Sequence, residues 1–432
     1  MVEKKQLHYG ERPLQGTIAV PGDKSISHRA VMFGSLANGV SKVTNFLAGE
    51  DCITTIEAFK AMGVNISRDE NTVVIKSTGI AGLKEPEIPI NLGNSGTTAR
   101  LLMGILAGLP FHFTLYGDES LSNRPMDRIT TPLKQMGAKI DGRESGKFLP
   151  ISLRGGNLKS FHYRTPMKSA QVKSGVLLAG LMTDGTTVVE EDSKTRDHTE
   201  NMLKAFGAQI DTEGTTVRIT GNQPLQACDI EVPGDISSAA FFLAGASIIP
   251  GSHVTIKDVG LNPTRSGIVD VLKMMGVDIE ASVTRTVGGE PIGDVTVKYS
   301  QATGTIIEGD IIPRIIDEIP IIALVASQAK GKTIIKDAEE LKFKETDRIE
   351  AVVTTLRALG VNIEPTEDGM IVEGGASIQG ASVHSYGDHR IGMMIAIASL
   401  LTKDSVDLIN PSCINISYPQ FFTDLEKLFP SM

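Results

Sequence analysis

The sequence predicts an α/β protein of two similar domains, each assembled from three repeats, and three features carry that prediction. FKAMGVNI, LKQMGAKI, LKAFGAQI, LKMMGVDI and LRALGVNI end at Ile66, Ile140, Ile210, Ile279 and Ile363. Each reads as the tail of an amphipathic helix, a glycine stop and the start of a strand. The tails recur at intervals of roughly 70 to 84 residues. Each follows an apolar segment rich in small residues: SHRAVMFGSLANG, TTARLLMGILAG, KSGVLLAGLMTDG, SSAAFFLAGASIIPG and IPIIALVASQAKG. A sixth, HRIGMMIAIASLLT, lies near the C-terminus. Finally, VPGD occurs twice, at Val20–Asp23 and Val232–Asp235, and marks the seams.

Taken in order, a repeat reads strand, buried helix, strand, surface helix, strand, strand. The small-residue helices are apolar nearly all round and so belong inside, whereas the helix ending in each glycine tail keeps one charged face for solvent. Six such units are too long and too few for a solenoid, so they divide three and three. With VPGD opening each set, one domain spans residues 20–234, and the other joins residues 1–19 to 235–432. The crossings near 19–22 and 232–236 would form a hinge beside a cleft, an arrangement suited to closing on a substrate and expelling water.

Composition narrows the function. The 432-residue chain is long enough for two cores, and its formal net charge of -9 argues against nucleic acid as a partner. Cys52, Cys228 and Cys413 are widely spaced and fit reduced thiols buried as apolar filler, with no zinc or disulfide pattern. The N-terminal MVEKKQLHYGERPLQG has no signal core and no apolar run approaches a membrane span, so a soluble, cytoplasmic protein is expected.

The buried helices begin with hydroxyl, Asp or Gly residues, as in GDKS, GNSGTT, KSAQ and GDHR, leaving free N–H groups that can receive anions. A nucleotide P-loop is excluded: around GDKS the pattern needs glycine where Ile18 and Asp23 stand, and around Lys332-Thr333 its first glycine would be Ala326. The charged candidates are Lys24 and Arg29, Arg124 in SNRPM, Arg196 in KTRDH, Asp317 in RIIDEIP, Lys344, Glu345 and Arg348 in KFKETDR, and Asp388 and Arg390 in YGDHR. Each has a plainer reading. Lys24 and Arg29 could form a solvated helix face, Glu345 and Arg348 an exposed ion pair on one helix, and Asp317 and Asp388 could be helix caps.

VPGDKSISHR, LGNSGTTAR, SNRPM, KSAQVKS, KETDR and GDHR, in this order, resemble the 5-enolpyruvylshikimate-3-phosphate synthase family over essentially the whole chain. The resemblance is to its divergent bacterial branch. It implies domains built as inside-out α/β barrels of three βαβαββ repeats, with the active site in the cleft between them. It also implies transfer of the enolpyruvyl group of phosphoenolpyruvate to the 5-hydroxyl of shikimate 3-phosphate, with no metal or organic cofactor, by a monomer.

By the same resemblance, Lys24, Ser25, Arg29, Ser169, Gln171, Arg196, Asp317 and Lys344 bind shikimate 3-phosphate. Lys24, Asn94, Gly96, Arg124, Gln171, Arg348 and Arg390 bind phosphoenolpyruvate. Planar guanidinium forks suit carboxylate and phosphate, and Gly96 lets the backbone approach phosphoenolpyruvate or the family's inhibitor glyphosate. Asp317 is implied as base toward the 5-hydroxyl and Glu345 as acid toward the methylene, with Lys24 and Lys344 stabilising charge and His389 orienting its neighbours.

Three positions depart from the family pattern: Ala170 where many members have serine, Ile416 where several have lysine, and Glu340 where a neutral amide is common. A UDP-N-acetylglucosamine enolpyruvyl transferase would offer a cysteine in the loop read here as YGDESLSNRPMD, which has none. A noncatalytic phosphometabolite-binding protein would have no use for Asp317, Glu345 and both lysines.

Overall fold

Gly63, Gly137, Gly207, Gly276 and Gly360, the five tail glycines, all sit in the left-handed region, with φ from +81° to +112°. Each glycine amide donates to the carbonyl of the basic residue three before it, Lys60, Lys134, Lys204, Lys273 or Arg357, at 2.9–3.0 Å. The next amide reaches back five residues, as Val64 does to Phe59 at 3.1 Å, completing the Schellman stop. A side chain at these glycines would be strained, and that is why the tails are so regular. The structure, a computed structural model, describes residues 3–430.

Three four-stranded sheets follow the predicted order. In one, Ile90–Asn91 pairs parallel with His112–Tyr116, which pairs antiparallel with Phe148–Arg154, flanked in turn by Lys139–Arg143. The sheets built on Thr186–Glu190 and Lys332–Ile335 repeat this plan. The other three borrow a strand from elsewhere. Ala37–Thr44 is bordered by Leu225–Gln226 and Ile230–Glu231, and His253–Gly260 by Gln15–Ala19. The sixth repeat is shorter than expected: its sheet holds three strands, Ser382–His384, Val406–Ile409 and Lys4–Leu7.

The chain divides into two compact units, each with its own apolar core. One comprises Gly22–Val232 with Val287–Glu290; the other holds the described residues up to Pro21, Pro233–Thr286 and those from Pro291 onward. The small-residue helices are the core of each. Every residue of Ile236–Ile248 is buried. In the first unit, a Cβ at Gly104 would lie 2.1 Å from the Gly175 carbonyl oxygen, so glycine is what lets these two helices touch.

Both VPGD motifs cap helices. Asp23 accepts from the Ile26 amide at 2.9 Å and opens Lys24–Leu36; Asp235 accepts from Ser237 at 2.8 Å and opens Ile236–Ile248. The cysteines are free thiols, Cys52 and Cys413 buried and Cys228 partly exposed. Among the described residues, no helix is long and apolar enough to cross a membrane.

Candidate active site

In the unit Gly22–Val232, three buried helices present their N-termini through caps that the sequence supplies. Asp23 caps the first, Ser95 accepts from Thr98 at 3.1 Å to cap Gly96–Gly108, and Ser169 accepts from Val172 at 3.4 Å to cap Ala170–Leu181. Lys24 and Ser25 lie half-buried in the first turn, and the Lys24 ammonium sits 3.2 Å from Asp51. Arg29 is not on a solvated face. It is buried, with Nε donating to Thr199 Oγ1 at 2.8 Å, Nη1 to the Ser25 carbonyl at 3.0 Å and Nη2 to Ser174 Oγ at 2.9 Å. Burial lowers its pKa to about 10, opposed by the charges of Glu200 and Asp23, so it stays a cation at neutral pH. Arg196, half-buried in the loop before the helix His198–Ala205, is a like-charged neighbour.

A second group forms at the Gly96 turn. Arg124 donates through Nη2 to Asn94 Oδ1 at 2.6 Å and Ser120 Oγ at 3.1 Å, and through Nη1 to the Asn94 carbonyl at 3.3 Å. Asn94 in turn donates to Asp118 at 2.6 Å. Sequence reasoning missed Arg100, one turn along the helix from Gly96. Its Nη1 donates to Gln171 Oε1 at 2.7 Å, while Gln171 donates to Thr97 Oγ1 at 3.1 Å. A Cβ at Gly96 would fall 2.9 Å from that Arg100 nitrogen and 3.5 Å from Arg124 Nη1. The available signal was the i, i+4 spacing of Gly96 and Arg100.

In the other unit, Asp317 stands between the helices Ile312–Ile315 and Ile319–Gln328 and makes no cap. It meets four cations instead: Arg348 Nη1 at 3.0 Å, Lys344 Nζ at 3.3 Å, Arg265 Nη1 at 3.6 Å and Arg390 Nη2 at 3.8 Å. Arg348 also donates to Asp388 at 2.8 Å and to Glu345 at 2.7 Å. Burial by itself would lower its pKa, but Asp388, Glu345 and Asp317 more than offset that and raise it. The exposed helical pair expected of Glu345 and Arg348 is therefore corrected: the helix starts at Arg348, Glu345 precedes its Asp347 cap, and Arg348 is buried. Asp388 does cap His389–Ala398, through the Arg390 amide at 2.8 Å, while it also binds Arg348.

Arg265 and Glu318 had no sequence signal beyond their charge. Glu318 is fully buried, accepts from Ser237, and lies 3.4 Å from Arg265 and 3.7 Å from Arg390. His389 is buried at the helix start, Glu340 lies in the short turn Glu339–Phe343, and Ile416 packs as a partly buried apolar residue against this unit's core. Among the described residues, no cluster of His, Cys, Asp or Glu is arranged to hold a metal ion.

A family model described as EPSP synthase (3-phosphoshikimate 1-carboxyvinyltransferase) matches residues 8–425. The 3-phosphoshikimate 1-carboxyvinyltransferase of Oceanobacillus iheyensis is 57% identical over 415 residues, covering 96% of this chain and 97% of that protein. The Bacillus cytotoxicus protein of that name is 55% identical, covering 97% of this chain and 99% of its own length. Among solved structures, EPSP synthase from Acinetobacter baumannii is 42% identical, with a TM-score of 0.89 over 99% of this chain and 98% of that one. The enolpyruvyl transferase NikO from Streptomyces tendae, at 18% identity, TM-score 0.80 and coverage of 99% and 98%, shares the fold.

Proposed function

Because this chain belongs to the EPSP synthase family, we propose that the three cationic groups described above together hold the two anionic substrates of the family's reaction and that Asp317 is its base. The protein is a 3-phosphoshikimate 1-carboxyvinyltransferase of the shikimate pathway, transferring the enolpyruvyl group of phosphoenolpyruvate to the 5-hydroxyl of shikimate 3-phosphate with release of phosphate. In this reading Lys24, Ser25, Arg29, Ser169, Gln171 and Arg196 take shikimate 3-phosphate, with Asp317 and Lys344 at its hydroxyl side. Lys24, Asn94, Gly96, Arg124, Gln171, Arg348 and Arg390 take phosphoenolpyruvate. Two mutually repelling anions need such cations, and guanidinium forks give them direction as well as charge.

Asp317 removes the proton of the 5-hydroxyl as that oxygen bonds to the substituted carbon of phosphoenolpyruvate. Glu345 delivers a proton to the methylene carbon, giving a tetrahedral adduct. Glu345 then takes a proton back from the methyl group as the double bond re-forms, and the bond between the substituted carbon and the phosphate ester oxygen breaks, so that phosphate leaves with that oxygen. When Arg348 turns to phosphoenolpyruvate it releases Glu345, its most exposed partner, for proton transfer. The reading extends to domains 20–234 and 1–19 with 235–432, each an inside-out α/β barrel, to an active site in the cleft between them, and to a monomer in the cytoplasm.

The observation that carries the catalytic assignment is the buried Asp317 carboxylate with four cationic side chains 3.0 to 3.8 Å from its oxygens. Asp317→Asn is expected to bind shikimate 3-phosphate by calorimetry while turnover falls about 10²- to 10⁴-fold. Turnover near that of the wild type removes Asp317 from the role.

A further inference from the structure

Lys173 belongs to no substrate contact proposed above, yet it is among the largest fully buried side chains. It stands in the helix Ala170–Leu181, two residues beyond Gln171 and four beyond the Ser169 cap. Its ammonium lies 2.9 Å from Glu191, 2.8 Å from Glu200 and 3.4 Å from the Thr195 carbonyl. Glu191 follows the strand Thr186–Glu190, and Glu200 lies in the first turn of His198–Ala205. One cation therefore gathers both stems and the middle of the 191–197 loop, which carries Arg196. Glu191 also accepts from the Thr195 hydroxyl and, at 3.4 Å, from its amide.

A second rung runs beside the first. Ser174, next to Lys173, shares a hydrogen bond of 2.7 Å with Thr199, next to Glu200, and these two hydroxyls accept from Arg29. The Lys173–Glu200 rung and the hydroxyls that hold Arg29 therefore sit on the same turn of two helices. Burial by itself would lower the Lys173 pKa, but Glu200 and Glu191 more than offset that and raise it, so the clamp is an ammonium.

We propose that Lys173 is a positioning residue for shikimate 3-phosphate: its ammonium fixes the spacing of the two stems of the 191–197 loop and thereby directs Arg196 and Arg29 at the acceptor. The proposal rests on the assignment of Arg29, Ser169, Gln171 and Arg196 to that substrate. A lysine that only neutralised two buried carboxylates would affect stability and leave substrate preference alone.

Two variants test it. K173M removes the cation but strands Glu191 and Glu200; K173M/E191Q/E200Q also removes their charges, so repulsion between buried carboxylates no longer threatens the fold. For each variant that melts cooperatively, KM and calorimetric Kd for shikimate 3-phosphate are expected to rise at least about tenfold, with KM for phosphoenolpyruvate and kcat within about threefold of wild type. A folded variant with near-normal shikimate 3-phosphate affinity overturns the proposal, as does a parallel loss in both substrates and kcat. Failure of both variants to fold makes Lys173 a stability residue and overturns it equally. Wild-type protein is titrated alongside: absence of shikimate 3-phosphate binding there sinks the site assignment itself, whereas binding retained by wild type and variant alike sinks only the role of Lys173.

Discussion

Arg348 and Asp388, forty residues apart in the chain, are joined at 2.8 Å with side chains 1% and 0% exposed. Asp388 does two jobs: Oδ2 accepts from Arg348 Nε, while Oδ1 accepts from the Arg390 amide at the start of the last buried helix and, at 3.4 Å, from Arg348 Nη2. Asp388→Asn keeps an acceptor for the cap and loses the charge. It is expected to cost about 1.5–3 kcal/mol, the range for a hydrogen bond to a charged group. Asp388→Ala loses the cap too and should cost about 1 kcal/mol more. Urea denaturation of both variants checks this, and equal costs would show that the cap contributes nothing.

Arg124→Lys keeps a cation but loses the fork that spans Asn94 and Ser120. KM for phosphoenolpyruvate should rise by the equivalent of about 1.5–3 kcal/mol, roughly 10- to 160-fold, with little change in shikimate 3-phosphate affinity. Steady-state kinetics in each substrate decides it, and a phosphoenolpyruvate KM within about twofold of wild type removes Arg124 from that site.

Gly96→Ala places a methyl group 2.9 Å from the end of the Arg100 side chain, which has to shift and so disturbs its 2.7 Å bond to Gln171. Because the obstacle is a flexible tip, the fold should lose less than about 1 kcal/mol, whereas ligands in the narrowed pocket should lose about 1–3 kcal/mol. Glyphosate is longer than phosphoenolpyruvate, so its inhibition constant should rise by the larger factor. Equal factors would show that Gly96 does not limit the length of this pocket.

His28 is buried, with Nδ1 2.7 Å from Thr55 Oγ1, and its pKa lies well below 6.5 through burial and then through the charges of Lys24 and Arg29. The sign follows from linkage: below pH 6.5 the unfolded chain binds this proton and the native protein does not, so stability is present above that pH and lost as pH falls. His28→Gln should therefore show a shallower acid loss, by up to about 1.4 kcal/mol per pH unit. Denaturant midpoints of wild type and variant between pH 5 and 7.5 measure it; parallel curves would mean that His28 titrates alike in both states.

Elements made by neighbouring residues were legible in the sequence. A Schellman stop needs a residue free to adopt the left-handed region, usually glycine, and an apolar residue just beyond it, all within one short segment, so LKQMGAKI announces its own ending at Gly137. Asp23 and Ser95 likewise cap the turns that directly follow them, which is why the helix starts carrying Lys24 and Gly96 could be found from local spacing. The ordered motifs brought the family, and with it the roles proposed for Asp317 and Glu345.

Only the tertiary structure decided who faces whom. Arg265 reaches Asp317 from 52 positions earlier, Lys173 joins Glu191 to Glu200, and Lys4–Leu7 completes a sheet with Val406–Ile409. A charge pattern along the chain assigns such residues to water, because desolvating a lone charge is prohibitive. Arg348 and Lys173 are buried because folding brings each between opposite charges supplied by other elements, and no periodicity records that meeting.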